Sequence, residues 1–235
     1  MITLAAKPRT AATVVLVRDS EAGPEVLLLK RNRALMFAGG LWVFPGGALD
    51  AEDWAAAGDG EERAARIAAA REAQEESGLA VDPDLMVQVS HWTTPVAEPK
   101  RFYTWFFLAL ASDDSAVEID GSEIHDHQWI NIAEAVRQHE AGEFPMLPPT
   151  VMTLRAMRGY LSAEDILVGI AARDPQQVFP VFVKSDGLIA VLFEGDAGYA
   201  SGDPNVAGAR HRAVMIDSAW QYQHDNVAGV VRLDS

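Results

Sequence analysis

The 235-residue chain contains no cysteine, which excludes disulfide bonds, thiolate metal sites and thiol nucleophiles. It also lacks a long apolar run. The strongest one, Trp105 to Ala111, has strand length and is far short of the ~20 residues that span a bilayer. Near the start, Lys7, Pro8 and Arg9 interrupt a short apolar stretch, so we expect no secretory signal and a cytoplasmic location. The chain has no Gly-rich loop ending in Lys-Ser or Lys-Thr, which argues against a P-loop ATP site.

Basic residues are scarce. The chain has 19 Lys and Arg against 34 Asp and Glu, which gives a formal net charge of −15 at pH 7. A field of this sign repels a polyphosphate backbone and disfavours nucleic acid as a partner. It is compatible with a small anionic substrate whose charge is offset by a divalent metal. The hydrophobic share of 49% and the charged share of 23% are ordinary for a globular protein.

The first part of the chain has a mixed α/β pattern. Apolar and β-branched runs predict strands at 11–18, 26–31, 40–44, 85–92, 101–111 and 129–132. An alanine-rich run predicts a long helix from about residue 60 to Ser77, with Asp59 as N-cap, Glu62 completing a capping box and Gly78 ending it. The residues expected to face the sheet are Ala64, Ile67 and Ala68.

The pattern changes in the last third of the chain. After predicted helices at about 133–141 and 150–160, Ser162 is expected to cap a short helix. Strands follow from residue 179, with Asp186-Gly187 as a hairpin turn and a further strand at 212–217. We therefore expect a main α/β domain over residues 1–161 and an α-then-β extension over 162–235. Because no long linker separates them, the extension is expected to pack on the main domain.

Three glutamates stand out on the long helix. Glu72, Glu75 and Glu76 are spaced i, i+3 and i+4, so one helical face carries all three carboxylates. Like charges at this spacing destabilise a helix by roughly 0.2–0.5 kcal/mol per pair, and a bound divalent cation reverses the sign of that effect. Hard oxygen ligands without cysteine favour Mg²⁺ or Mn²⁺. The alternative interpretation is a solvated acidic face with no ligand.

Two neighbouring features favour the metal-site interpretation. Arg71 directly precedes Glu72 and can hold one carboxylate. Upstream, the run Phe44-Pro45-Gly46-Gly47 predicts a turn in which glycine lets the backbone approach a ligand closely.

These residues resemble the Nudix hydrolase family, whose box has the form G-x5-E-x7-R-E-U-x-E-E-x-G-U, with U aliphatic. The turn at 44–47 matches its usual opening, and residues 71–79 match its whole second half. Asp53 stands where the box has its first Glu, with Glu52 as the other candidate. Seventeen residues, 54–70, then separate Asp53 from Arg71, where the pattern has seven. We expect this interruption to form a loop from Trp54 and an added turn of helix.

The resemblance implies a Nudix-type α/β/α sandwich with a mixed sheet, carrying a C-terminal α+β extension. It also implies an enzyme that cleaves a diphosphate with the help of Mg²⁺ or Mn²⁺. By this resemblance, the metal ligands are the Gly46 carbonyl, Glu72, Glu75 and Glu76, and Arg71 fixes the geometry of the glutamates. Glu72 is one candidate for the general base. Some members take the base from a later loop, where Glu123 is our first candidate and Asp126 the second.

An interrupted box also occurs in a branch that resembles the peroxisomal coenzyme A diphosphatase-type proteins and their bacterial relatives. Residues 27–50, 91–111 and 191–199 are similar to that branch. Coenzyme A or an acyl derivative is therefore the leading substrate. The alternatives are ADP-ribose, NADH or another dinucleotide, and a non-catalytic module that binds a nucleotide. Many Nudix proteins are homodimers, so a homodimer is possible under the resemblance.

Further residues are candidates for substrate contact, namely Arg31, Arg33, Phe44, Trp92 and Arg101. Arginine suits bidentate contact with phosphate, and Trp92, at a predicted strand end, could stack on a base. The alternatives are an exposed solubilising face for the cations and core packing for the aromatic residues. His125 and His127 flank Asp126 and suggest a metal pair, although a polar loop with scattered histidines is the commoner case.

Overall fold

The computed structural model describes residues 6–32, 39–112, 116–119, 121–185 and 187–235. Two predictions lie outside these ranges: Arg33 as a substrate contact and Asp186 in the hairpin turn.

The larger sheet is mixed, as predicted. In the described residues its strands are β1 (Arg9–Arg18), β2 (Glu25–Arg31), β3 (Trp42–Val43), β4 (Gly46–Ala48), β5 (Val87–Thr93), β6 (Phe102–Leu110), β7 (Ile124–Asn131) and β8 (Gln176–Val178). The strand order is β3-β2-β1-β6-β5-β8, with β4 pairing β1 and β7 pairing β2. The pairs β1–β6 and β5–β8 are parallel, and the other pairs are antiparallel.

Helices cover both faces of this sheet, which confirms the predicted α/β/α sandwich. Along β1, alternate side chains point to opposite faces: Val14 and Leu16 join one core cluster, and Val15 and Val17 join the other. In the described residues the helices are α1 (Ala51–Ala57), α2 (Glu61–Ser77), α3 (Ile132–Glu140), α4 (Pro148–Met157) and α5 (Ala163–Ala171), with a 3₁₀ turn at Pro83–Leu85. The first cluster packs under α2, and the second packs under α3, α4 and α5.

The buried face of α2 consists of alanines. Ala64, Ala65, Ala68, Ala69 and Ala73 are fully buried, whereas Ile67, expected on this face, is only partly buried. Short side chains let the helix lie close to the sheet, which brings its acidic face near the strand that carries Gly46 and Gly47.

The start of α2 differs from the prediction. Its N-cap is Gly60, which makes no side-chain capping bond, and not Asp59. The residues between Asp53 and Arg71 do not begin with a loop at Trp54, because they continue a separate helix, α1. That helix carries the capping box, in which Asp50 accepts from the Asp53 N–H and the Asp53 carboxylate accepts from the Asp50 N–H. Gly78 ends α2 at φ 74°, as predicted.

A second, antiparallel sheet consists of β9 (Val181–Ser185), β10 (Leu188–Leu192), β11 (Arg210–Ile216) and β12 (Ala219–Asp225). Its strand order is β12-β11-β10-β9. Phe182 lies opposite Val191, which lies opposite Ala213, which lies opposite Tyr222. This row packs against the core shared with α3, α4 and α5. The other face holds a small cluster of its own, with Val183, Leu192 and Val214.

Residues after 161 are built into both parts of the molecule. β8 pairs with β5 in the larger sheet. One core cluster also combines residues of α4, such as Leu154, with Phe193, which directly follows β10, and Trp220 of β12. The division at residue 161 stays a prediction, since the packing is continuous across it.

Candidate active site

The site forms where the acidic face of α2 meets β4. Pairing with β1 sets Gly46 opposite Thr13 and Gly47 opposite Ala12. The Gly46 N–H donates to Oε2 of Glu76 at 2.9 Å. A Cβ added to Gly47 would lie within 2.5 Å of the Glu72 Cδ. The glycine backbone and two of the three carboxylates are therefore in direct contact, with no side chain between them.

Arg71 links the two halves of the interrupted box. Its Nε and Nη2 donate to the two carboxylate oxygens of Asp53 at 3.1 and 3.0 Å, and Nη1 donates to Glu72 and Glu75 at 3.0 Å each. Asp53 is only 2% exposed, whereas Glu52 is exposed. Asp53 therefore occupies the position of the arginine's partner. The interruption, residues 54–70, consists of the end of α1, a short connection and the first part of α2. The hydrogen bond to Asp53 and the negative charges of Glu72 and Asp53 raise the pKa of the Arg71 guanidinium, although its partial burial acts in the opposite direction.

The two carboxylates nearest the glycines are more buried than the third. Burial raises the pKa of Glu76 to about 8, although the hydrogen bond from Gly46 opposes that shift. Burial also raises the pKa of Glu72, and Arg71 offsets part of the effect. Glu75 is exposed. Additional positive charge beside these two carboxylates would favour their ionised forms.

Arg31, at the end of β2, lies on the other side of the carboxylates. Its Nη2 donates to Glu123 Oε2 at 3.1 Å, and its Nη1 is 3.9 Å from Glu76 Oε1. Its Nε is buried without a hydrogen-bond partner. Glu123 thus adjoins the acidic cluster through Arg31. Asp126 lies on β7 opposite Lys30, and its carboxylate accepts from the His127 N–H at 2.9 Å.

The donor set suits a hard divalent cation. Glu72, Glu75 and Glu76 offer only oxygen, and two of them are buried with raised pKa values. No three Asp, Glu or His side chains in the described ranges converge as a ready metal site. The reason is visible in the hydrogen bonds, because Glu72 and Glu75 are turned onto Arg71 and Glu76 onto the Gly46 N–H. His125 and His127 form no such group either.

A cavity of about 850 Å³ opens from the carboxylates. Among the described residues, the acidic side chains that line it are Glu72, Glu75, Glu76, Glu98 and Glu123, and the basic ones are Arg9, Arg31 and Lys100. The remaining wall is mainly apolar and aromatic. Its larger members are Leu41, Val43, Phe44, Trp92, Phe102, Phe106, Leu147, Phe182, Val191 and Trp220.

The predicted substrate contacts fall into two groups. Arg31, Phe44 and Trp92 line the cavity, although Phe44 and Trp92 are also core residues that pack edge-on against Phe106 and Phe193. Arg101 is not among the lining residues. Its guanidinium instead donates to the backbone carbonyls of Thr94 and Ala6.

Sequence reasoning missed several lining residues. Arg9 is brought to the cavity by the pairing of β1 with β6. Phe182, Val191 and Trp220 come from the second sheet. Their strand alternation shows which face is apolar, but no local signal shows that this face meets the carboxylates.

The family model for the NUDIX domain matches residues 7–149. The chain belongs to the Nudix family. Nudix hydrolases act on phosphoric anhydrides and generally use divalent metal ions such as Mg²⁺ or Mn²⁺.

Two relatives extend this result. The Caenorhabditis elegans protein named "Putative nudix hydrolase 7" is 31% identical over 226 residues, covering 81% of this chain and 74% of that protein. The crystal structure of a NUDIX hydrolase from Alicyclobacillus acidocaldarius has a TM-score of 0.63 and 24% identity, covering 69% of this chain and 96% of that one. The second likeness supports the Nudix fold of this chain.

No helix in the described ranges combines the length and the apolar character needed to cross a membrane.

Proposed function

We propose that this Nudix protein hydrolyses the diphosphate of a nucleotide joined to another group, with coenzyme A or an acyl-coenzyme A as its leading substrate. The observation that carries the proposal is the position of Glu72, Glu75 and Glu76. They line one end of a cavity large enough for a whole nucleotide conjugate. The three cations Arg9, Arg31 and Lys100 share that cavity and suit substrate phosphates.

In this proposal Glu72, Glu75, Glu76 and the Gly46 carbonyl hold the metal. A divalent cation supplies positive charge to the diphosphate oxygens and makes an attacking water more acidic. To bind the cation, Glu72 and Glu75 would give up their hydrogen bonds from Arg71. Asp53 would keep Arg71 in place, because it accepts two further hydrogen bonds from the guanidinium. Arg71 is thus a positioning residue.

The remaining roles follow from the geometry around Arg31. Its guanidinium lies between Glu76 and Glu123, which suits an incoming phosphate that displaces the Glu123 contact. Glu123, 58% exposed at the side chain, is then released near the site of attack and is our candidate general base; Glu72 is the alternative. Phe44 and Trp92 contact the substrate from the aromatic wall. Arg101 remains a candidate although it does not line the cavity, and Arg33, which is outside the described residues, also remains a candidate. A cytoplasmic location and a homodimer also remain proposals.

A product-resolved hydrolysis assay tests this function. The substrates are coenzyme A, acetyl-coenzyme A, ADP-ribose, NADH and a diadenosine polyphosphate, each with Mg²⁺, with Mn²⁺ and with a chelator. We expect coenzyme A to yield adenosine 3′,5′-bisphosphate and phosphopantetheine, with no turnover after chelation.

Two variants on one helix serve as test and control. Glu76→Gln retains an oxygen that can accept from the Gly46 N–H but lacks the charge, and we expect its turnover to fall at least 100-fold. Glu62→Gln removes an exposed carboxylate that pairs with Arg66 at the far end of α2 and should leave turnover unchanged. Cleavage of ADP-ribose or a dinucleotide in place of coenzyme A would overturn the substrate assignment. Full activity of Glu76→Gln would overturn the site.

A further inference from the structure

The cavity has two chemically different ends. One part of the lining is charged: Glu72, Glu75 and Glu76 come from α2, Arg31 from the end of β2, Arg9 from the start of β1 and Lys100 from the segment before β6. In the described residues, the second sheet contributes Phe182, Val191 and Trp220 to the lining, and Pro180 directly before β9 also lines it; all four are uncharged. Residues that follow the matched Nudix segment therefore form part of the wall of the same cavity.

This wall is held in place by the sheet. Phe182 and Val191 are directly opposite each other in the β9–β10 pair, so their side chains share one face. Trp220 is two residues from Tyr222, which ends the same row, and therefore also lies on that face. The backbone N–H of Trp220 donates a hydrogen bond to Nε2 of the fully buried His139 at 2.9 Å. The wall is thus attached to α3 by a hydrogen bond, in addition to its packing.

The composition of the wall narrows the chemistry of what it can bind. In the described part of the chain, no Asn, Gln, Asp, His or Tyr side chain lines the cavity, and its hydroxyl groups come from Ser122 and threonines. Phe44, Trp92 and Phe106 line it together with Phe182, Val191 and Trp220. An aromatic and aliphatic surface of this kind suits a hydrocarbon arm.

We propose that the second sheet forms the binding wall for the acylated arm of the substrate, with Phe182, Val191 and Trp220 as specificity-determining residues. This inference rests on the proposed function, because it assigns one half of the same cavity to the part of the substrate that does not react. It predicts that a fatty acyl group on the arm improves binding.

The test uses the full-length protein and two readouts. The first is quenching of tryptophan fluorescence by S-octanoyl-pantetheine, which has the arm but no nucleotide. The second is the ratio of kcat/KM for octanoyl-coenzyme A over coenzyme A. The test variant is Phe182→Ala, at a half-buried position. The control is Phe179→Ala, because Phe179 is in the same segment, is 50% exposed and does not line the cavity.

We expect wild type to bind S-octanoyl-pantetheine and to prefer the acylated substrate. Phe182→Ala should weaken binding and reduce the preference by about tenfold, the scale of one lost aromatic contact. Phe179→Ala should change neither. Phe182→Trp fills the wall further and should shift the preference toward shorter acyl chains, which separates a lost contact from a misfolded variant.

The outcomes separate the two proposals. Absent binding of S-octanoyl-pantetheine, or equal binding by wild type and Phe182→Ala, overturns the wall assignment. Binding that is lost in Phe182→Ala, in a protein that hydrolyses no coenzyme A, supports the wall and removes the proposed hydrolysis.

Discussion

At the scale of single residues, Gly46 and Gly47 are neighbours that exclude a side chain for different reasons. A Cβ on Gly46 would lie 2.5 Å from the Ala12 carbonyl oxygen and 2.7 Å from the Thr13 Cα, which are backbone atoms of β1. A Cβ on Gly47 would meet the Glu72 carboxylate, which can turn away. A side chain at position 46 would therefore disturb the pairing of β4 with β1, whereas a side chain at position 47 would displace the Glu72 carboxylate.

The two alanine variants should therefore fail in different ways. Gly47→Ala should lower turnover about 100-fold, because it moves the Glu72 carboxylate by an ångström or more, and should leave the melting temperature within a few degrees. Gly46→Ala should lower the melting temperature by more than about 4 °C, because backbone atoms have to shift. Calorimetry and turnover of both variants check this. Normal turnover of Gly47→Ala would contradict the assignment of Glu72.

Asp53 gives a second prediction at this scale. Asp53→Asn cannot pair both carboxylate oxygens with Arg71 and leaves part of a charged network unsatisfied. We expect a loss of about 1–3 kcal/mol in the free energy of unfolding and a fall in kcat, since Arg71 is no longer held in one position. Denaturant unfolding and steady-state kinetics measure both. Glu52→Gln, at the exposed neighbouring position, is the control, and an equal effect there would show that the Arg71 pairing is unimportant.

At the scale of elements, His139 connects α3 to β12. It is fully buried, with Nδ1 2.9 Å from the Phe144 carbonyl oxygen and Nε2 accepting from the Trp220 N–H. This arrangement requires a neutral ring, with the proton on Nδ1. Burial lowers the pKa of His139, as does Arg155, while the Phe144 carbonyl and Glu140 act in the opposite direction.

The consequence is a stability that falls in mild acid. The unfolded chain takes up a proton near the ordinary histidine pKa of about 6.5, and the folded chain does so only at lower pH. The contribution of neutral His139 to the free energy of unfolding is therefore fully present above pH 6.5. Below that pH, His139 should lower the free energy of unfolding by up to about 1.4 kcal/mol per pH unit. Burial also lowers the pKa values of His91 and His211, so they act in the same direction.

Urea unfolding between pH 8 and pH 5 measures this dependence. His139→Gln should be less stable at pH 7.5 and should show a flatter pH dependence below 6.5. His125→Gln, on the exposed edge of β7, should behave as wild type. Parallel profiles for wild type and His139→Gln would show that the link does not depend on the charge of the ring.

The sequence predicted elements well where the signal is local. Periodicity located most strands and α2, and Gly78 marked the end of that helix. The cap at Asp59 was wrong because an inserted segment can form its own helix, and the capping box then belongs to Asp50 and Asp53. β4, β8 and β12 were missed, and the first of these occupies Gly46 and Gly47, for which a turn was predicted. β8 is three residues long, and its pairing with β5 is decided by packing.

The site shows the same division. The spacing of the box placed Glu72, Glu75 and Glu76 on one face and allowed Asp53 to meet Arg71. The sequence could not predict that Arg31 contacts Glu123. Nor could it predict that residues of the second sheet line the cavity that holds the carboxylates. Both join segments far apart in the chain, and only the assembled fold brings them to one cavity.

At the scale of the whole molecule, the extension is part of the main core. Ile166, Ile170, Phe193 and Trp220 are buried in the same cluster as Leu28 and Phe106. A chain ending at residue 161 should therefore lack a cooperative thermal transition, because it loses this packing along with β8. Calorimetry tests the prediction, and co-expression with residues 162–235 should restore the transition. A sharp transition in the shortened chain alone would show an independent domain.

The parallel pairing of β8 with β5 has a consequence for synthesis on the ribosome. β5 gains its second neighbour only after residues 176–178 have left the exit tunnel, so its outer edge stays open while the intervening helices emerge. An open strand edge is a template for another chain. We expect nascent chains paused between α4 and β8 to be the species that aggregates and the one that a ribosome-associated chaperone has to cover.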